Sequence, residues 1–458
     1  MHCKSPNMKL ALHWYFVLSF ILSAIVAYEN FVIMEEKKLL PFVKLVRDNY
    51  TVELIPDDIT LTDEQTADQC KESSITVNSP EELFYLQRRC DILEGNLIIG
   101  TDYQERIIDL GFIKEIKGDL VLDGNANIFR LVGENLNTIG GTFTLRGTMS
   151  LVAIIFPVLR RINIIDWQVV PVLDHLELGS NLEGLQQLII SDSSISDLNV
   201  FKGVQELDIF NINNNRFLEI INSDLKRVSK QLRIHANADE LVINMSQLES
   251  VDNITIRDAA GINLPELTYV NSSMEIIENF CSDLILPKLK RVDGTLGIIG
   301  NPSLQNVSYQ NLRVIQGGLM IANNSELTNL DFFPNLKQIG GAIHFDGNFI
   351  TANMPKLKLV KGSAFIRSTA DYFDCKRWFT PVNGRAIVRG GKLKCIANER
   401  ESTIRIGDDG SLIDNDDSPQ YDDSPENKDR QENSAMLRSK IRGLLPLTTL
   451  LSMYLILF

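Results

Sequence analysis

An internal repeat with a period of roughly 21 to 24 residues constrains the fold of this chain more than any other feature. One copy reads Leu289-x-x-Val292-x-Gly294-x-Leu296-x-Ile298. Further copies begin at Leu312 and Leu336, looser ones at Leu267 and Leu357, and two more in the N-terminal half at Ile113 and Leu136. A chain with this period forms stacked rungs, because one copy is too short to bury its own apolar row.

The phrase after each glycine alternates apolar and polar residues, which predicts a half-buried strand. Glycine relaxes the backbone at the corner before that strand. Asparagine follows several strands, as in Gly300-Asn301 and Gly347-Asn348, where it suits a turn. The expected fold is therefore mainly β, a leucine-rich-repeat-like parallel β-solenoid.

A solenoid needs caps at both ends. Ser79-Pro80-Glu81-Glu82 predicts a capping box and a short helix reaching about Arg89. Sequence order pairs Cys70 with Cys90 and Cys375 with Cys395, so both caps are expected to be stapled by disulfides. With no such pair between them, we predict one long solenoid, or two halves (70–245 and 246–400) fused end to end.

Cys281 is left over from this pairing. An odd cysteine in a secreted protein is either buried and inert or bonded to another chain. Burial is favoured, because free cysteine is among the most buried residue types. The cysteine spacings exclude a zinc site of the usual kind.

The N-terminus reads as a secretory signal over residues 1–27. Lys4 and Lys9 precede an apolar run from Leu10 to Val26, and Ala27 offers a cleavage point. The alternative is an uncleaved N-terminal anchor. Residues 28–69 have no clear period and receive no assignment.

The C-terminus reads as a GPI-attachment signal. The small residues Asn433-Ser434-Ala435 precede a polar spacer and an apolar run from Leu444 to Phe458. We expect attachment at Asn433, with Ser434 as the second choice, and removal of residues 434–458. The alternative is a tail-anchored protein. A membrane link through the lipid is thus predicted.

Residues 401–433 are predicted to form an acidic, disordered stem, because they are rich in Asp, Ser, Pro and Asn. The whole chain has a formal charge of −14, and loss of the five basic residues of both signals leaves about −19. This balance excludes nucleic acid as a partner. Calcium binding by the stem is the less favoured reading, because no calcium loop is completed. No cofactor is predicted.

Six N-glycosylation sequons occur in the chain. Their acceptors are Asn49, Asn244, Asn253, Asn271, Asn306 and Asn323. Together with two secretory signals, they indicate a glycoprotein.

The rung phrases resemble the receptor L-domain. They resemble still more closely the fungal family of GPI-anchored cell-wall-integrity proteins with L-domain-like repeats. The strings that carry the resemblance are Gly140-Gly141-Thr142-Phe143, Phe210-Asn211-Ile212-Asn213, Leu264-Pro265-Glu266-Leu267, Gly317-Gly318-Leu319-Met320 and Gly340-Gly341-Ala342-Ile343-His344-Phe345. It covers roughly residues 70–400 and the anchor signal.

The resemblance implies a role in building the fungal wall without catalysis, with wall polysaccharide or wall-assembly proteins as partners. Many family members carry a long Ser/Thr-rich stem. The short acidic stem of this chain looks like the sporulation-specific branch, which implies service to the glucan layer of the ascospore wall.

Three functional hypotheses follow. The first is a non-enzymatic surface scaffold, since nucleophile elbows, metal-ligand spacings and phosphate loops are missing from the sequence. The second is a glycan-modifying enzyme that uses two carboxylates among Asp123, Asp208, Asp258 and Asp346. The third is a receptor-like decoy. Three histidines of the predicted mature chain are expected to be surface or packing residues: His175, His235 and His344.

Overall fold

The computed structural model describes residues 69–379, 385–397 and 400–413. The predicted signal peptide, residues 28–68, most of the stem, the GPI signal, Asn49 and Asn433 lie outside these residues. Among the described helices, none has the length and apolar character to cross a bilayer.

Helices are few and short within the described ranges. They are α1 Pro80–Arg89 and α2 Lys376–Phe379, with one 3-10 turn at Asn199–Phe201. The strands in chain order are β1 Ser74–Val77, β2 Ile92–Leu93, β3 Asn96–Ile99, β4 Ile107–Asp109, β5 Glu115–Ile116, β6 Leu120–Asp123, β7 Arg130–Val132, β8 Thr138–Arg146, β9 Ala153–Phe156, β10 Arg161–Val170, β11 His175–Leu178, β12 Gln187–Ser193, β13 Glu206–Asn213, β14 Ile220–Asn222, β15 Arg227–His235, β16 Val242–Asn244, β17 Ser250–Arg257, β18 Gly261–Asn263, β19 Tyr269–Val270, β20 Met274–Ile277, β21 Asp283–Ile285, β22 Arg291–Val292, β23 Leu296–Ile299, β24 Asn306–Ser308, β25 Val314–Ile315, β26 Leu319–Ala322, β27 Gln338–Ile339, β28 Ile343–Gly347, β29 Leu359–Val360, β30 Ala364–Ser368, β31 Gly391–Ala397, β32 Arg400–Ile406 and β33 Leu412–Ile413.

Most strands belong to one long sheet of 24 strands, which is parallel from β1 to β31. Each repeat of the C-terminal half contributes two of them, such as β22 and β23, on either side of the corner glycine Gly294. From β8 onward in the middle of the chain the two merge into one long strand with an irregular register, as between Ile162 and Ile164 of β10. The predicted parallel solenoid is confirmed.

Smaller parallel sheets cover the other side of the rungs. One contains β4, β7, β9 and β11, a second β14, β16 and β18, and a third β21 and β24. The pairing of β15 with β17 and of β17 with β20 runs across residues 245 and 246. The described solenoid is therefore continuous there.

The core consists of apolar rows that run from rung to rung. Leu296 pairs with Leu319, which pairs with Ile343, and these side chains are at most 1% exposed. Each row removes side chains from water that a single rung would leave exposed. Burial stabilises a leucine or isoleucine by about 1.5–3 kcal/mol.

The corner glycines serve the stacking itself. A Cβ atom on Gly317 would lie 2.5 Å from the carbonyl carbon of Gly294, and one on Gly341 would lie 2.7 Å from that of Gly317. Neither residue has a positive φ. Glycine is therefore required here because one corner lies close to the next. The sequence had suggested that these glycines relax the backbone at the corner, but neither adopts a conformation that only glycine favours.

A ladder of buried asparagines lies at a second corner; we call it the asparagine ladder. Its members are Asn215, Asn237, Asn279, Asn301 and Asn324, each at most 8% exposed. The backbone N–H of Asn279 donates to Asn301 Oδ1 over 2.9 Å, and that of Asn301 donates to Asn324 Oδ1 over 2.9 Å. Each amide thus satisfies backbone groups that stacking would bury without a partner.

The residue before each of these asparagines has a left-handed backbone, as at Ala236, Glu278, Gly300 and Asn323. The sequence predicted a turn at Asn301. The left-handed turn belongs to the preceding Gly300, and the buried Asn301 joins neighbouring rungs.

The caps close both ends as expected. Ser79 accepts a hydrogen bond from the Glu82 N–H over 3.2 Å, so the predicted start of α1 is confirmed, and Leu83 and Leu86 of this helix are buried. The structure contains the Cys70–Cys90 and Cys375–Cys395 disulfides.

The predicted disordered stem begins too early. Residues 400–406 form β32, which pairs antiparallel with β31, and β33 pairs with β32. Lys394 and Glu401 form an ion pair across this hairpin at 2.8 Å. Edge strands of native sheets carry charged side chains, so composition alone did not separate this edge from a stem.

We predict that Asn301→Ala destabilises the solenoid by about 2–5 kcal/mol, because it leaves several buried polar groups unpaired. Asn279 loses its backbone and side-chain bonds to Asn301 Oδ1, while the carbonyls of Ile276 and Ile299 lose the bonds from Asn301 Nδ2. Urea unfolding followed by circular dichroism measures the change.

Asn348→Ala provides the matched control, since Asn348 is exposed. Its effect on the free energy of unfolding is expected to stay within about 0.5 kcal/mol. Equal losses for the two variants would contradict the role of the asparagine ladder.

Candidate functional surface

The outward face of the long sheet is the largest continuous surface on which side chains from many rungs meet. Around β8 and β10 this face carries a polar cluster. Arg146 donates to Asp166 over 2.8 Å, and Gln168 donates to the same carboxylate over 2.6 Å. This ion pair joins the side chains of Arg146 on β8 and Asp166 on the neighbouring strand β10.

In the C-terminal half the same face carries a group of apolar side chains beside charged ones. Ile277, Ile299, Met320 and Phe365 point outward and are only partly buried. His344 stacks on Phe365 with ring centroids 5.0 Å apart. We call these five residues the apolar patch. Sequence reasoning missed it, although the signal was present, because these positions of the strand phrases carry apolar residues where alternation predicts polar ones.

The four candidate carboxylates are not brought together. Asp123 and Asp208 are four strands apart, about 19 Å, and so are Asp258 and Asp346. Asp208 and Asp258 are two strands apart but displaced along the strands by about five residues, roughly 16 Å. Glycoside hydrolysis needs two carboxyl groups about 5–10 Å apart, and none of these pairs meets that requirement.

Three of these carboxylates have structural partners instead. Lys230 lies 2.9 Å from Asp208, and this bond, with one from Ser229, lowers the pKa of Asp208 below its usual value. Arg367 Nε donates to Asp346 over 2.7 Å. Asp258 accepts from the backbone N–H of Ala236 over 3.0 Å.

The histidines lie far apart: His175 on a smaller sheet, and His235 and His344 on strands of the long sheet that are five strand spacings apart. His175 is exposed on β11. Burial lowers the pKa of His235, and the positive charges of Arg233 and Arg257 lower it further. Burial also lowers the pKa of His344, so its ring in the apolar patch is neutral at neutral pH. Within residues 69–379, 385–397 and 400–413, no three His, Cys, Asp or Glu side chains are grouped as metal ligands.

The sequon asparagines of the described residues lie on several faces. Asn271, Asn306 and Asn323 are exposed. Asn253 is partly buried on the long sheet. Asn244 is held in an outer row, where its Nδ2 donates to Asn222 over 3.2 Å and its Oδ1 accepts from Asn263 over 2.8 Å.

Cys281 is buried and free. Burial raises the pKa of its thiol to about 11, so little thiolate forms at neutral pH. Cys281 is buried, as the sequence predicted. A second, interchain role would require this side chain to leave the core.

Comparison with known proteins shows which family and which relatives this chain is similar to. The Receptor L domain family matches residues 290–364, which span four of the C-terminal rungs. Sporulation-specific protein 22 of Saccharomyces cerevisiae is 45% identical over 77% of this chain and 76% of its own length. Cell wall mannoprotein PST1 of the same yeast is 30% identical over 69% of this chain and 70% of its own length.

A more distant relative carries a further name. Cell surface GPI-anchored protein of Arthroderma benhamiae is 28% identical over 74% of this chain and 85% of its own length. The chain belongs to the fungal GPI-anchored cell-wall-integrity family with receptor L-domain repeats, and within it to the sporulation-specific branch.

Proposed function

We propose that the protein is a non-enzymatic scaffold of the fungal wall, held at the cell surface by a GPI lipid and serving the glucan layer of the ascospore wall. The relatives named as sporulation-specific, cell-wall and GPI-anchored proteins support this reading. The observation that carries it is the continuous solenoid, which offers a long ordered face without paired candidate carboxylates.

Wall polysaccharide or wall-assembly proteins are the proposed partners. A scaffold acts through shape, surface and tethering, so its ligands bind along many rungs and do not need one reactive group. The long sheet provides such a face, with the polar cluster around Asp166 and the apolar patch in its C-terminal half. The decoy hypothesis has less support, because Cys281 is the only cysteine between the two capping pairs in the sequence.

We predict that breaking a rung abolishes function, whereas removing one ionisable group from the outward face of the long sheet does not. Leu319→Asp and Ile343→Asp place a charge among stacked apolar rows, where its desolvation is not compensated. Both variants are expected to fail in export to the surface. Asp346→Asn and His344→Ala keep the core and should leave wall resistance within about twofold of wild type.

The measurement is resistance of spores to glucan-digesting enzymes in strains that express each variant, with surface level determined by antibody. For Leu319→Asp and Ile343→Asp the first measurement is the surface level. Asp346→Asn and His344→Ala are compared with wild type in spore resistance at matched surface level. Loss of resistance in Asp346→Asn at a normal surface level would favour the glycan-modifying enzyme over the scaffold.

We predict that phosphatidylinositol-specific phospholipase moves the protein from a detergent phase into the aqueous phase. Cleavage of a GPI anchor leaves the acyl chains behind, and the attached protein then loses its affinity for detergent. Phase partition followed by immunoblotting measures the shift. Persistence in the detergent phase, beside a GPI-anchored control that moves, would contradict attachment at Asn433 or Ser434.

We predict N-glycans on Asn271, Asn306 and Asn323, because these three acceptors are exposed in the folded chain. Asn244 is expected to be modified to a lesser degree, since its side chain is only partly exposed and both its amide atoms are bonded, to Asn222 and Asn263. Enzymatic glycan release in heavy-oxygen water, followed by peptide mass spectrometry, measures occupancy at each site. Full occupancy of Asn244 with empty exposed sites would contradict this order.

A further inference from the structure

Four basic residues stand at equivalent positions of four consecutive rungs in the C-terminal half. They are Lys290, Arg313, Lys337 and Lys358, which we call the basic ridge, and all four are exposed. The backbone N–H of Arg313 donates to Lys290 O over 2.9 Å, that of Lys337 to Arg313 O over 2.8 Å, and that of Lys358 to Lys337 O over 2.9 Å. Their side chains therefore leave the solenoid in one row.

The same row is balanced in the N-terminal half and unbalanced here. Arg160 is followed in the next rung by Glu183, with which it forms an ion pair at 3.7 Å. Lys226 is followed by Glu249. Among the described residues, Arg313, Lys337 and Lys358 have no ion pair and no side-chain hydrogen bond, a contrast that marks the basic ridge as a distinct surface.

This arrangement costs stability unless an anion binds it. Neighbouring strands are about 4.8 Å apart, and like charges directly opposite on adjacent strands repel. Lys290 lies over the ring of Tyr269 at 5.7 Å, and this contact leaves the rest of the row unaffected. Four cations in a row of about 14 Å suit an extended chain with several carboxylates.

Such a chain begins close to the end of the basic ridge. Residues 414–426 contain six acidic and no basic residues. The described chain ends at residue 413, just after the turn that contains Gly410, whose carbonyl accepts from the Ala386 N–H over 3.0 Å. The neighbouring Val388 bridges to Val360, two residues after Lys358. Gly410 thus lies about two strand spacings, roughly 10 Å, beyond the last cation, and the acidic segment begins four residues after it.

We infer that the basic ridge binds the acidic segment 414–426 of its own chain. Thirteen extended residues reach about 43 Å, which is enough to cross the gap and run along the row. The short tether gives the carboxylates an effective concentration near the millimolar range, which no free acidic peptide at ordinary concentration matches. The inference uses only the chain's own residues and does not depend on the lipid anchor or the wall function.

Zero-length carbodiimide cross-linking of the full-length protein in detergent tests this. The reagent joins a lysine amine to a carboxylate that is in contact with it and takes up the water that is released. We expect cross-linked peptides that join Lys337 or Lys358 to residues 414–426. Their yield should fall about tenfold in 1 M NaCl, where the Debye length is about 3 Å.

A pair of variants separates the basic ridge from general attraction. Lys290→Gln with Arg313→Gln removes half of the charge and keeps Lys337 and Lys358 as reporters, so the cross-link yield should fall at least threefold. The matched control, Lys114→Gln with Arg160→Gln, changes the same row in the N-terminal half. It should leave the yield unchanged.

Three results would overturn the inference. The first is a yield that the ridge variants leave unchanged. The second is that, in a mixture of isotopically light and heavy chains, the cross-links join only different molecules. The third is ridge-dependent binding of the intact chain to phosphatidylserine vesicles without cross-links to 414–426, which would assign the basic ridge to an anionic membrane.

Discussion

In a parallel stack held in register, each side chain lies beside the side chain at the same position of the next rung. Backbone hydrogen bonds fix this register at every step from β1 to β31, so side chains at equivalent positions of the repeat lie next to each other along the whole length. Apolar residues gain from the arrangement, because stacked rows such as Leu296, Leu319 and Ile343 exclude water from both sides. Asparagine gains as well, since its amide carries both a donor and acceptors and can bond to another copy of itself. Glycine corners gain by close approach. The repeat, the core and the asparagine ladder are consequences of one geometric rule.

Charged residues are the ones that this rule does not favour. A row of equal charges repels at about 4.8 Å, so a stable stack alternates them or places them in diagonal pairs. The Arg146–Asp166 and Arg367–Asp346 contacts follow that pattern on the long sheet. The basic ridge departs from this pattern over four rungs, and this repulsion favours binding of an anionic partner from outside the described rungs. The four candidate acids lie on separate rungs, an arrangement better suited to extended recognition than to catalysis at one point.

The period, the apolar rows and the caps could be predicted because they depend on local spacing. Ser79 and Glu82 lie three residues apart, and the members of each disulfide are separated by 20 residues, so both are visible in one stretch of chain. The end of the solenoid could not be predicted in the same way. Residues 400–406 look like the stem that follows them, and only their pairing with β31 makes them a strand. The apolar patch was also missed, because its members are about one rung apart in sequence and adjacent only in space.

The sequence by itself determined that this chain stacks rungs into a parallel solenoid, because a 21 to 24 residue period with alternating apolar positions leaves no other way to bury its rows. It also determined which residues can staple the ends. Only the tertiary structure decided what each repeated polar residue does. Asn301 and Asn323 occur in similar strand-end contexts, yet one is fully buried between rungs and the other is exposed at a left-handed turn. The physical reason is that burial, pairing and charge balance depend on the neighbouring rung, whose position is set by the fold and not by the local sequence.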